Sequence, residues 1–195
     1  MIWENIVIKI QEVTERQEAV FAGLAFRRGD LARYAQSIAE LHATNVATDA
    51  SYQRRFNALY GVRRDAHWRS SYFTLLEARK SQSAVGFLSV LSAIRDATGR
   101  VEASFASKLV ATIDPTRAIY DSIVRRNLGL PQRSIGSTSR IDALCRDYDV
   151  IQMALEQMIT SEEFQPLRAR FDATFPEFAH FTNLKVLDLM IWQMR

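Results

Sequence analysis

Apolar residues recur three and four positions apart along nearly the whole of this chain, and a sustained alternation of period two occurs nowhere in it. That periodicity is the strongest constraint on the fold. Each stretch can bury one face as an amphipathic helix, and none offers the in-and-out pattern of a half-buried strand. The expected fold class is all-α, a single compact domain of some nine or ten helices over residues 1–195. With 195 residues, 48% of them apolar, the chain can bury about two thirds of its unfolded surface without help from a metal or a disulfide.

Local signals set the expected boundaries. The first helix runs from about Trp3 to Phe21, with Ile6, Ile10, Val13 and Val20 on one side. Gly23 to Gly29 should loosen the chain, after which Asp30 has the position of an N-cap for LARYAQSIAELH. Asp49 and Asp65 hold the same position ahead of helices that end near Leu59, before Gly61, and near Lys80. A helix carrying Val85, Leu88, Leu91 and Ile94 ends at Thr98 and Gly99, and a shorter one, EASFASKLVATI, is closed by Asp114 and Pro115. Asp121 opens another, with Gly129 and Pro131 as its stop signals. Pro131 to Ser139 reads as loop, and helices from about Arg140 to Ile159, Glu163 to Phe171 and Asn183 onward complete the set.

Several function classes find no residues to carry them. The single cysteine, Cys145, excludes an internal disulfide framework and a cluster held by four thiolates, and reads as an inert thiol. His42, His67 and His180 are not spaced as a helical metal pair, and neither form of glycine-rich phosphate loop occurs, so no metal and no cofactor is expected. Neither a signal-type N-terminus nor an apolar run approaching 18 to 20 residues is present, so a cytoplasmic chain without a membrane partner is expected.

Charge is distributed unevenly. Residues 1–49 carry 5 basic and 7 acidic side chains, residues 50–140 carry 15 and 6, and residues 141–195 carry 5 and 9. A basic centre between acidic flanks is the pattern of a polyanion-binding face, because each phosphate met by Lys or Arg releases counterions. Solvation of helix surfaces by Arg and Glu would give the same count. Of the 25 basic residues 21 are Arg, the side chain suited to planar, bidentate phosphate contacts.

The block Thr98–Leu130, TGRVEASFASKLVATIDPTRAIYDSIVRRNLGL, combines a helix end, a tight turn, a second helix, a short connection and an Asp at the start of the next helix. Within it stand Tyr120-Asp121-Ser122-Ile123-Val124-Arg125-Arg126 and then Leu128-Gly129-Leu130. In these residues the chain resembles the helix-hairpin-helix DNA glycosylase superfamily, as a small, atypical member. Family members read V-D-T-H-V-x-R before a terminating L-G-L. The likeness covers about a sixth of the 195 residues and implies a helix-hairpin-helix-like region over about residues 83–130, packed by the terminal helices.

The resemblance implies an enzyme that hydrolyses the N-glycosidic bond of a modified or damaged base, acting on double-stranded DNA with the base flipped out. Asp121 would be its catalytic carboxylate. Chemistry agrees, since cleavage passes through an oxocarbenium-like sugar that a fixed carboxylate stabilises. The family hairpin is usually L-P-G-V-G. The turn here is Ala97-Thr98-Gly99-Arg100-Val101, so Gly99, Arg100, Ser104 and Ser107 are the candidates for phosphate contact, together with Arg125 and Arg126. Lys108 is the lysine nearest the place of the family's Schiff-base lysine but lies about two turns into its helix, so a monofunctional hydrolase is expected. Tyr120, Trp68 and Trp192 are candidates for the base pocket, against the plainer reading of aromatics at helical spacing as core. Lys185, Asp188 and Trp192 share helical spacings and read as a packed terminal helix. Two other functions fit the same residues: a non-catalytic helical nucleic-acid-binding or adaptor module, and a protein-interaction subunit whose arginines only solvate its surface.

Overall fold

The computed structural model describes residues 10–131 and 139–194, which fold into helices with no strand among them. Residues 10–15 are helical. There follow α1 (Gln17–Phe26), α2 (Arg28–Glu40), α3 (Ala50–Tyr60), α4 (Ala66–Arg79), α5 (Phe87–Thr98) and α6 (Ala103–Ile113). After these come α7 (Ser122–Asn127), α8 (Ser139–Ile159), α9 (Phe164–Thr174), a 3-10 turn at Pro176–Phe178 and α10 (Asn183–Gln193). The all-α expectation holds. The start of the expected first helix and most of the loop expected from Pro131 to Ser139 lie outside the described residues.

Short polar side chains begin these helices, and left-handed glycines end several. Asp49 accepts hydrogen bonds from the Ser51 and Tyr52 N–H groups, and Asp65 accepts one from Trp68, meeting donors that a helix start leaves open. Gly61, Gly99 and Gly129 take φ of 60°, 70° and 71°, a region that costs a residue with a Cβ, and they close α3, α5 and the turn after α7.

The stretch from Gly23 to Gly29 departs from expectation. α1 continues through Gly23 to Phe26, and α2 begins after Arg27 alone, so Asp30 sits in the first turn of α2 and is not its N-cap. There it pairs with Arg33 at 2.6 Å, and its charge still favours the positive helix end. The space that a Cβ on Gly23 would occupy is filled by Gln193, whose Oε1 would lie 2.7 Å away. The glycine therefore serves packing against α10 and does not loosen the chain.

The chain divides into two compact units. A terminal unit comprises Met1–Arg27 with Pro115–Arg195, and an inserted unit comprises Arg28–Asp114. In the inserted unit α2 packs on α3, α4 on α5, and α5 on α6. Its core is a ring cluster: Trp68 stacks on Tyr72 at 5.0 Å, Phe105 meets the edge of Trp68 at 4.8 Å, and Phe56 meets Phe73 at 5.5 Å. The Tyr72 hydroxyl donates to the Phe105 carbonyl at 3.1 Å, and burial pushes its pKa well up. In the terminal unit α10 packs on α1, α7 and α8. Leu184, Val186, Leu187, Met190 and Ile191 are buried on several of its sides, as expected of a central helix. Phe171, Phe175, Phe178 and Phe181 fill the rest of that core.

The boundary at Asp114–Pro115 divides the region 83–130. The α5–α6 pair belongs to the inserted unit, and Tyr120 and Asp121 belong to the terminal one.

Candidate active site around Asp121

Asp114 ends α6 in an extended conformation, and Pro115 to Asp121 form a non-helical connection in which the Asp121 N–H donates to the Ile119 carbonyl. Ala118, Ile119 and Tyr120 in this connection are buried, so their backbone polar groups need partners from elsewhere. Gln152 of α8 supplies both kinds. Its Oε1 accepts from the Ala118 N–H at 2.7 Å, and its Nε2 donates to the Thr116 carbonyl at 3.1 Å and to Glu156 at 2.7 Å. Thr182, the N-cap of α10, donates its hydroxyl to the Pro115 carbonyl at 2.7 Å while accepting from the Lys185 N–H. The Tyr120 hydroxyl lies 3.4 Å from a carboxylate oxygen of the buried Asp147.

This anchored connection delivers Asp121 to the N-cap of α7, as its spacing predicts. Its φ and ψ of −102° and 149° are extended, and its Oδ1 accepts from the Ile123 N–H at 2.7 Å. The side chain is half-buried, and its second oxygen has no hydrogen-bond partner among the described residues. The other caps differ. Asp49 engages its second oxygen with the Thr44 hydroxyl, and Asp65 stands exposed. The far end of α7 is fixed too, since Asn127 Nδ2 donates to the carbonyls of Ile191 and Met194 at 3.1 and 3.2 Å. A carboxylate held this way presents one oxygen to an incoming group while the helix N-terminus holds the other.

The remaining candidates of the terminal unit take different places. Arg125 donates to the Leu130 carbonyl at 2.9 Å and closes the end of α7, so part of its donor capacity serves the fold. Arg126 is exposed. Trp192 is half-buried, with the Arg27 guanidinium 4.7 Å from its ring centroid, so this ring is paired with a cation. Lys185 and Asp188 form an ion pair at 2.9 Å with 9% and 8% of their side chains exposed, in keeping with a packed terminal helix.

In the inserted unit, three expectations change. The Gly99 N–H donates to the Arg95 carbonyl at 2.7 Å as part of the α5 cap, so it is not an open phosphate donor. Ser107 is fully buried, and its hydroxyl donates to the Ser104 carbonyl at 3.0 Å, which removes it from any phosphate-facing surface. Trp68 is 2% exposed inside the ring cluster, where it packs the core and offers no open face to a base. Arg100 is exposed and Ser104 is half-buried. The Lys108 ammonium lies 5.3 Å from the Tyr60 ring centroid and 5.1 Å from that of Phe105, a cation held between rings. Part of the central positive charge is met internally, by Arg55 with Glu40, Arg64 with Glu102 and Lys80 with Glu77.

Among the described residues no three His, Cys, Asp or Glu side chains come together as a metal-holding group, and no helix is long and apolar enough to cross a membrane. Burial first, then Asp149 and Asp142, push the Cys145 thiol above its ordinary pKa, which weakens it as a nucleophile. No protein-family model, no curated protein and no solved structure matches this chain.

Proposed function

We propose that this protein is a DNA glycosylase that hydrolyses the N-glycosidic bond of a modified or damaged base, with Asp121 as its catalytic carboxylate. One observation carries the reading beyond the resemblance of residues 98–130. Asp121 is half-buried at a helix start, anchored through one oxygen, with its second oxygen unengaged among the described residues. In the reaction the C1′–N bond breaks, and its electron pair leaves with the base. The ionised carboxylate lies against the positive charge that develops on the sugar, and water adds its oxygen to C1′ while its proton passes to the carboxylate or the departing base. The hydrolytic route makes no use of an amine, so Lys108 has no part in it. Arg100 and Arg126, both exposed, are the proposed phosphate contacts.

The test is base release from duplexes that each carry one modified base, read as free base by chromatography and as abasic sites by strand scission in hot alkali. Release from at least one duplex is expected. Salt-dependent DNA binding with no release from any of a broad panel would overturn the catalytic reading and leave a nucleic-acid-binding module. Absence of both would remove DNA as the partner.

A further inference from the structure

At the C-terminal end of α1, Phe26 holds its ring in solvent with 89% of its surface exposed, more than any other large apolar side chain described. Phe21, Phe164, Phe171, Phe175, Phe178 and Phe181 of the same unit are all buried. Beside it, Arg27 rests its guanidinium on Trp192 in the last turns of α10. The carbonyls on either side of that tryptophan, Ile191 and Met194, are the ones gripped by Asn127 at the end of α7, next to the exposed Arg126. The last turn of α10 thus anchors both the Phe26–Arg27 corner and the far end of the helix that Asp121 opens. With a rise of about 1.5 Å per residue, the short α7 separates its two ends by only about 9 Å.

We infer that Phe26 and Arg27 form a strand-binding platform, on which the Phe26 ring stacks against an unpaired nucleobase and Arg27 meets a neighbouring phosphate. This rests on the reading of DNA as the partner. Every base has a π-face, so one exposed ring beside an oriented guanidinium is a sequence-tolerant site for a nucleic-acid strand. The indole beneath Arg27 restricts its guanidinium before any ligand arrives. A protein partner would call for a broad patch of large apolar side chains, whereas the exposed apolar residues that accompany Phe26 on α1 are the small Ala19, Ala22 and Ala25.

The test uses the full chain and oligonucleotides, single-stranded and mismatched duplex, with 2-aminopurine at the unpaired position. Affinity is read by anisotropy over a salt series and stacking by quenching of 2-aminopurine. Phe26→Ala should weaken binding about ten-fold, the scale of one lost base–ring stack, abolish quenching and leave the salt slope unchanged. Phe26→Trp should keep both affinity and quenching, and Arg27→Ala should lower the salt slope. Equal affinity and quenching in parent and Phe26→Ala overturn the platform while leaving the glycosylase reading intact. A change confined to self-association in Phe26→Ala assigns the ring to a contact between copies and likewise overturns it. A parent that binds no DNA removes both readings.

Discussion

A glutamine carries both hydrogen-bonding functions that irregular backbone leaves open, and Gln152 spends both on the connection that ends at Asp121. Replacing it by leucine keeps the volume and strands the buried Ala118 N–H, a loss of about 1–3 kcal/mol for an unmet buried donor. In a chain of this size each kcal/mol moves the thermal midpoint by about 2–4 °C, so Gln152→Leu should lower it by several degrees. Under the proposed glycosylase mechanism it should also lower kcat on a cleaved substrate with little change in KM, since it disturbs the aim of Asp121 and not the exposed Arg100 and Arg126. An unchanged midpoint would show that the clamp contributes nothing. Gln152 was not legible in the sequence, and neither were Thr182 and Asn127, because their partners lie 34 to 67 residues away and no local pattern marks such contacts. Asp121 was legible because an N-cap is decided within three residues.

At the scale of elements, the same local logic made Asp49 and Asp65 readable, with Gly61, Gly99 and Gly129 as stops. The Tyr52 N–H and then the Thr44 hydroxyl hold Asp49 below its ordinary carboxylate pKa, and the Trp68 N–H does the same for Asp65. A pKa depressed in the folded state contributes stability that is fully present above the unfolded value of about 4 and is lost as pH falls through the folded one. The thermal midpoint should therefore stay level from about pH 7 to 5 and fall below about 4. Asp49→Asn, which keeps a capping oxygen without the titration, should make that fall shallower; an identical acid slope in the two proteins would remove Asp49 from the account. Gly23 was misread because a glycine inside a helix looks like a breaker until its neighbour is known. Since the atom in its way is the tip of a flexible Gln193, Gly23→Ala should be tolerated and gain up to about 1 kcal/mol of helix propensity. Gly23→Val should lower the thermal midpoint by pressing a branched side chain into the α1–α10 contact, and a higher midpoint for valine than for alanine would contradict that packing.

For the whole molecule, helical periodicity carried the fold class, but the division into two units left no compositional trace. The crossing at Arg27–Arg28 falls where two helices follow each other almost directly, and the one at Asp114–Pro115 opens the short connection to Asp121, with only Pro115 to mark it. Aromatic spacing alone could not tell Trp68, locked in a ring cluster, from a ring on a surface, because that depends on which helices meet. The central claim is that Asp121 acts through its charge and not only as a helix cap. Asparagine caps a helix about as well as aspartate, so Asp121→Asn should fold with an unchanged thermal midpoint and bind DNA as the parent does. The deciding measurement is the single-turnover rate of base release from a duplex that the parent cleaves. A fall on the order of 100-fold or more is predicted, the usual cost of removing a preorganised electrostatic partner, and a variant that keeps more than about a tenth of the parent rate would contradict the claim.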